Sequence, residues 1–197
     1  LCGLNDRTAL GSDLKPDAQG VYRVDFDDLE RKLADPRTSL FLLCSPHNPT
    51  GRAFSREELT RMGELCVKHG VVVFSDEIHA DLVYQGEHIA FPALSPQIAE
   101  ITLVGMNASK TFNLADLRAA AVLSSSEKLR EAFAAGRNRC KLGRCSLGVA
   151  GVTAAYAQGQ EYLDQIKPYI EANMRHAVEF INGSIPGIST YMPDATY

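Results

Sequence analysis

Short apolar runs alternate along this chain with longer stretches whose apolar positions recur every three or four residues. Ser39 to Cys44 (SLFLLC) is a continuous apolar run, the pattern of a strand covered on both faces. Val71 to Phe74 and Ile101 to Gly105 read the same way, and Ala119 to Leu123 predicts a fourth strand. Helical patterns lie between them. Asp25 to Ala34 puts Phe26, Leu29 and Leu33 at helical spacing, with acids early and Arg31 and Lys32 late, as the helix dipole favours. Pro36 stops it. Ser55-Arg56-Glu57-Glu58 is a capping box opening a helix through His69, with Leu59, Met62 and Cys66 on one face and Gly70 at its end.

Residues 1 to 22 are rich in Gly, Asp and Asn and predict loop or extended chain. From Ser126 to Phe180 an Ala-rich helical periodicity dominates, with a break or kink expected near Pro168. Asn182-Gly183 and Pro186-Gly187 are turn signals, after which a β-rich unit is expected from Ile188. Apolar strands alternating with capped helices predict an α/β layer structure whose functional loops lie at the strand ends.

Bulk properties narrow the function classes. Apolar residues make up 45% and charged residues 22% of 197 positions, the balance of an ordinary globular protein. A net charge of −4 leaves no basic field for nucleic acid or anionic lipid. No apolar run approaches the roughly 18 residues of a membrane span, and no signal peptide is visible. The five cysteines are odd in number and form no Cys-x-x-Cys pair, so reduced thiols in a cytoplasmic protein are expected. The ends read as cut, which predicts a piece of a longer protein.

Three motifs close the predicted strands: Asn48-Pro49-Thr50-Gly51, Ser75-Asp76-Glu77-Ile78-His79, and Ser109-Lys110-Thr111-Phe112-Asn113, with Arg118 following. Singly, each residue has an ordinary reading. Lys110 could be a surface loop lysine, Asp76 a helix cap or ion-pair partner, Asn48 a turn residue, and Arg118 a solvated cation. Together they match one chemistry. A lysine that forms an imine, an acid for a ring nitrogen, an amide for a ring oxygen and a guanidinium for a phosphate make a site for pyridoxal 5′-phosphate. His79 could contact the cofactor ring or serve as a structural histidine. His47, His69, His88 and His176 show no metal-ligand spacing. Neither the glycine-rich nucleotide fingerprints nor the serine-hydrolase elbow is present.

In this order the motifs resemble the aspartate-aminotransferase-like, fold type I pyridoxal-phosphate enzymes of the class I/II aminotransferase family, best from Phe26 to Ala120. The resemblance implies part of a mostly parallel α/β/α large domain over residues 1–145, interdomain helices over 146–182, and the start of a small α+β C-terminal domain over 183–197. It implies that Lys110 carries the cofactor, Asp76 pairs with the pyridine nitrogen, Asn48 bonds the ring hydroxyl and Arg118 contacts the phosphate. Ser109 and Asn107 join the cofactor-binding set, although Asn107 stands where many relatives have Ser or Thr. Asp116 stands where the family usually has Gly. An upstream phosphate loop, a ring-stacking aromatic and a downstream carboxylate-binding arginine are also implied, and these lie outside the chain.

Ser45-Pro46-His47-Asn48-Pro49-Thr50-Gly51-Arg52 and Asp76-Glu77-Ile78-His79-Ala80-Asp81-Leu82 look like the cystathionine β-lyase-related branch of carbon–sulfur lyases, as does Ser109-Lys110-Thr111-Phe112-Asn113-Leu114. In ordinary aminotransferases a tyrosine usually takes the place of His79. The expected activity is therefore β-elimination on a small amino-acid substrate by a homodimer. Amino transfer to a 2-oxo acid is the alternative. A non-catalytic regulator with an aminotransferase-like domain, and a folded but catalytically empty piece, are further alternatives.

Overall fold

Local signals decide the first helices. A computed structural model describes residues 2–143 and 145–197. A short antiparallel ribbon, β1 (Lys15–Pro16) and β2 (Tyr22–Arg23), leads into α1 (Phe26–Leu33). Asp25 caps α1 by accepting from the Asp28 N–H at 3.1 Å. Helix α2 (Arg56–His69) carries the expected capping box: Ser55 Oγ accepts from the Glu58 N–H, and Glu58 Oε2 accepts from the Ser55 N–H. Gly70 ends it in the left-handed conformation.

The main sheet has the order β3 (Leu40–Cys44), β4 (Val72–Asp76), β5 (Thr102–Met106) and β6 (Ala121–Leu123). The first three strands are parallel and β6 is antiparallel to β5. Cys44 lies opposite Asp76, and Asp76 opposite Gly105, so three strands end level with one another. Because β6 runs the other way, Ala121 at its start sits beside Met106 at the end of β5. One edge of the sheet therefore collects the loops after β3, β4 and β5 and the segment leading into β6. That edge is where an open α/β sheet places its ligands.

Helices α1, α2 and the short α3 (Pro96–Glu100) accompany one face. Leu29, Leu33, Leu59, Met62, Cys66 and Ile98 form a core there with Leu43, Val71, Val73 and Phe91. The other face is open at β3, where Leu40 and Leu42 are 48% and 64% exposed. The expectation that this run is covered on both faces is therefore corrected. Successive side chains point to opposite faces, and only the Leu43 side is covered. Covering a leucine is worth roughly 1.5–3 kcal/mol, which Leu42 largely forgoes here.

The Ala-rich region divides into α4 (Glu127–Arg139), α5 (Ser146–Gln158) and α6 (Gln160–Ser184). Of the break or kink expected near Pro168, no break occurs; α6 runs through it. The interruption falls at Gly159, where a β-carbon would overlap the Phe112 ring and the Ala155 carbonyl. A tertiary contact, absent from the helical periodicity, decides that break.

Among the described residues, no strand forms from Ile188 onward, contrary to expectation; the one pairing there is an isolated bridge between Val83 and Ala195. The segment's backbone groups are used by neighbouring loops instead. Tyr84 and Gln85 donate N–H groups to Asp194 O, Thr196 N donates to Leu82 O, and Ala195 N donates to Gly51 O. Residues 194–196 thus lie between the loop after β4 and the Asn-Pro-Thr-Gly turn.

Candidate cofactor site

Each motif is shaped by the strand it closes. Asp76 is the last residue of β4, and its Oδ1 accepts the Ile78 N–H at 3.2 Å, so the chain turns at once. Glu77 next to it is buried. Its Oε1 accepts from Ser75 Oγ at 2.9 Å and from the Phe91 N–H at 3.0 Å, while Oε2 lies 2.7 Å from His88 Nε2. One carboxylate thereby ties both ends of the 78–90 loop. Two residues on, His79 is 3% exposed.

After β5, Asn107 Oδ1 accepts the Ser109 N–H at 2.8 Å and Phe112 N donates to Ala108 O at 2.9 Å. Ala108 and Ser109 are buried and Lys110 is half-buried. Asn107 was expected to bind phosphate; its carbonyl oxygen is committed to this turn, leaving the amide N–H groups. A short 3-10 turn, Ala115–Leu117, then leads to Arg118, which adopts a left-handed conformation (φ 47°). Asp116, the departure from the family's usual Gly, takes no positive φ and is exposed.

The sheet brings Lys110, Asp76 and His79 within electrostatic reach of one another. Burial first, and the positive charge of Lys110 second, hold His79 below its ordinary range, while Asp76 pulls the other way. His79 is consequently neutral near pH 7. Asn48 and Arg118 are placed at the same sheet edge and both are exposed. Neither Lys110 nor Arg118 makes an ion pair among the described residues.

Unused polar groups point to a ligand. His79 Nδ1 is buried with no hydrogen-bond partner, a condition that costs about 1–3 kcal/mol unless something meets it. With two unpaired cations, a half-buried carboxylate and an exposed amide alongside, the residues present fit an anionic, heteroaromatic aldehyde. A cavity of about 880 Å³ opens against the Asn-Pro-Thr-Gly turn, lined by His47, Pro49, Thr50, Tyr191 and Tyr197 among others, but none of Asn48, Asp76, His79, Lys110 and Arg118 lines it. Tyr197 reaches the ring of His79 from this side. No group of His, Cys, Asp and Glu side chains suited to a metal ion occurs among the described residues.

Other residues in the motifs have contacts that sequence reasoning left without a role. Thr111 Oγ1 donates to Asp81 Oδ2 at 2.7 Å, joining the lysine turn to the Asp76 loop. Phe112 packs against Tyr156 and Tyr162, with ring centroids 5.9 and 6.0 Å away. Arg52 is buried and makes a two-pronged pair with Glu58, at 2.8 and 3.0 Å. Its place in the lyase-like motif is thus structural: it ties the Asn-Pro-Thr-Gly turn to the start of α2.

The sequence is 45% identical over 180 residues to cystathionine beta-lyase PatB of Bacillus subtilis, covering 90% of this chain and 46% of PatB. It is 35% identical over 195 residues to protein MalY of Escherichia coli, covering 98% of this chain and 49% of MalY. The chain thus spans about half the length of the curated relatives it matches. Among solved structures, cystalysin from Treponema denticola, which contains a pyridoxal 5′-phosphate cofactor, superposes with a TM-score of 0.94 at 29% identity, over 99% of this chain and 50% of that one. The pyridoxal-phosphate-bound C–S lyase from Staphylococcus hominis gives 0.90 at 30% identity, over 100% and 49% of the two chains. The family model for class I and II aminotransferases matches residues 15–197, and the chain belongs to that family.

Proposed function

We propose that this chain supplies the cofactor-gripping part of a pyridoxal-phosphate-dependent carbon–sulfur β-lyase, which converts a cystathionine- or cysteine-type amino acid and water to a thiol, pyruvate and ammonia. The observation that carries the reading is the placement of Lys110, Asp76 and a neutral, half-unpaired His79 at one sheet edge. The 45% identity to a cystathionine β-lyase supports the choice of reaction. When bound, pyridoxal phosphate acts as an electron sink for the charge developing at the substrate's α-carbon.

The protein's own groups do the rest. Lys110 Nζ would hold the cofactor and, as a free amine, would take the α-proton of the substrate. Asp76 keeps a proton on the ring nitrogen by supplying its counter-charge. Asn48 would donate to the ring hydroxyl, and His79 would offer its unpartnered Nδ1 to the same ring as a neutral group. Arg118 would hold the phosphate, for which a guanidinium can supply two hydrogen bonds, and Ser109 and Asn107 would add donors. The division into residues 1–145, 146–182 and 183–197 belongs to this reading, supported by the helical stretch that follows the sheet.

A homodimer is part of the same proposal, supported by the open apolar side chains Leu142, Leu147 and Val149. A cytoplasmic location is supported by five unpaired cysteines. No helix among the described residues is long and apolar enough to cross a membrane.

The test uses full-length protein with added pyridoxal phosphate. It is incubated with cystathionine or cystine, and pyruvate is assayed without any keto acid. Pyruvate release, lost in Lys110→Ala, is expected. Amino transfer to a keto acid with no pyruvate would replace this reading with the aminotransferase one, which the 27% identity to an aspartate aminotransferase of Geobacillus stearothermophilus keeps in view.

A further inference from the structure

We propose that Thr111 and Asp81 form a latch that positions Lys110 against Asp76 and His79, an inference that rests on the cofactor reading above. Lys110 sits on the turn after β5, and its counterparts sit on the loop after β4. The two strands hold their ends together only as far as the Glu77 N–H, which donates to Gly105 O at 3.0 Å. Beyond that point, residues 77–91 and 107–118 share one side chain–side chain hydrogen bond among the described residues. It is Thr111 Oγ1 to Asp81 Oδ2, at 2.7 Å.

The bond is placed where it has leverage. Thr111 follows Lys110 directly and is 2% exposed. Asp81 lies two residues after His79 and five after Asp76. Each side is rigid in itself. The loop is held by Glu77 and by Leu82 N donating to His79 O at 2.9 Å. The turn is held by Asn107 and by Phe112 against Tyr156 and Tyr162. Asp81 also borders this aromatic group, since its charge helps burial push the Tyr156 phenol up. Two rigid pieces joined by one charge-assisted bond move relative to each other when that bond is cut.

The consequence falls on the amine. A lysine side chain has four flexible carbons, so only its backbone anchor can be held closely by the fold. A reacting group needs its geometry kept to within about 0.5 Å. Thr111 and Asp81 are thus positioning residues, acting on the cofactor through Lys110 without touching it.

Full-length wild type, Thr111→Val, Thr111→Ser, Asp81→Ala and the Thr111→Val/Asp81→Ala double variant would be titrated with pyridoxal phosphate. Dissociation constant, induced circular dichroism per bound cofactor and melting temperature are recorded. Thr111→Val keeps the shape and removes the donor. It is expected to weaken cofactor binding about tenfold and to change the induced signal per bound cofactor. Thr111→Ser restores both to within about twofold, and the double variant is no weaker than Thr111→Val, because the two residues share one bond. Unchanged affinity and induced signal in Thr111→Val, a Thr111→Ser as weak as Thr111→Val, or additive losses in the double variant would each overturn the latch. Should Thr111→Val not fold, the Asp81→Ala affinity and induced signal decide, and wild-type values there overturn it. Wild type that fails to bind pyridoxal phosphate would instead remove the cofactor reading, and the latch with it.

Discussion

The ring of Tyr197 meets the ring of His79 edge-on, with centroids 5.8 Å apart and planes at 70°. Such a contact is worth about 0.5–1.5 kcal/mol beyond the area it covers. It joins the segment after α6 to the loop that closes β4, and so links the wall of the cavity to the candidate cofactor ring site. Thr190 is clamped on the same segment by both amide atoms of Asn182, at 2.9 Å each, and Tyr191 Oη donates to Thr50 O at 2.5 Å. The segment is therefore held at both ends against the Asn-Pro-Thr-Gly turn and the His79 loop.

His79 makes stability depend on acidity. Its folded-state value is depressed by burial and by Lys110, so the unfolded chain takes up a proton more readily than the folded one. The stability it contributes is present above about pH 6.5, the free value, and is lost as pH falls through the folded value. His47, depressed by burial and by Arg52, adds to the same trend. Denaturation midpoints of His79→Gln should therefore fall less steeply than wild type between about pH 6.5 and 5. Parallel pH profiles for the two proteins would remove His79 from the account.

Gly51 has φ 69°, and a β-carbon there would overlap the Pro193 side chain. Gly51→Ala combines left-handed strain with overpacking, so a loss of roughly 2–4 kcal/mol is expected. Chemical denaturation measures it, and a loss below about 0.5 kcal/mol, as for an ordinary surface site, would contradict the packing described.

Arg52 and Glu58 form a mostly buried pair whose removal leaves a carboxylate without its partner. Arg52→Met should cost about 2–4 kcal/mol in a denaturant titration. Arg52→Lys keeps the charge but not the fork and should recover only part of that loss. Full recovery by lysine would mean that charge alone accounts for the contact.

Burial pushes the Cys66 thiol up to about 12, whereas Cys140 and Cys145 are exposed. A thiol reagent at mildly alkaline pH should modify Cys140 and Cys145 in the native protein and reach Cys66 only after denaturation. Mass spectrometry of the digested protein reads the order. Equal labelling of Cys66 would place α2 away from the core.

Much of the architecture is legible locally because its causes are local. The helix Arg56–His69 is announced by Ser55 and Glu58 three residues apart and by Gly70 at its end, and it forms with those bounds. The strands closing on Cys44 and Asp76 are apolar runs bounded by turn chemistry, and both form. Lys110, Asp76, Asn48 and Arg118 stand out as candidates because a cofactor with an aldehyde, a ring nitrogen, a hydroxyl and a phosphate calls for four different side chains in strand-end loops.

What could not be read from periodicity depends on contacts distant in sequence. The helix breaks at Gly159 and not at Pro168 because the Phe112 ring occupies the space a side chain would need. At the end of the segment after Ile188, the N–H and C=O groups of residues 194–196 pair with Gly51, Leu82, Tyr84 and Gln85 in place of a strand partner. One covered face for β3 depends on which helices lie against it. Residue types and their order along the chain were enough to identify the family and the sheet. The link from Asp81 to Thr111, and the unmet nitrogen of His79, exist only once the strands are side by side. Hydrogen bonding and burial act across space, whatever the separation along the backbone.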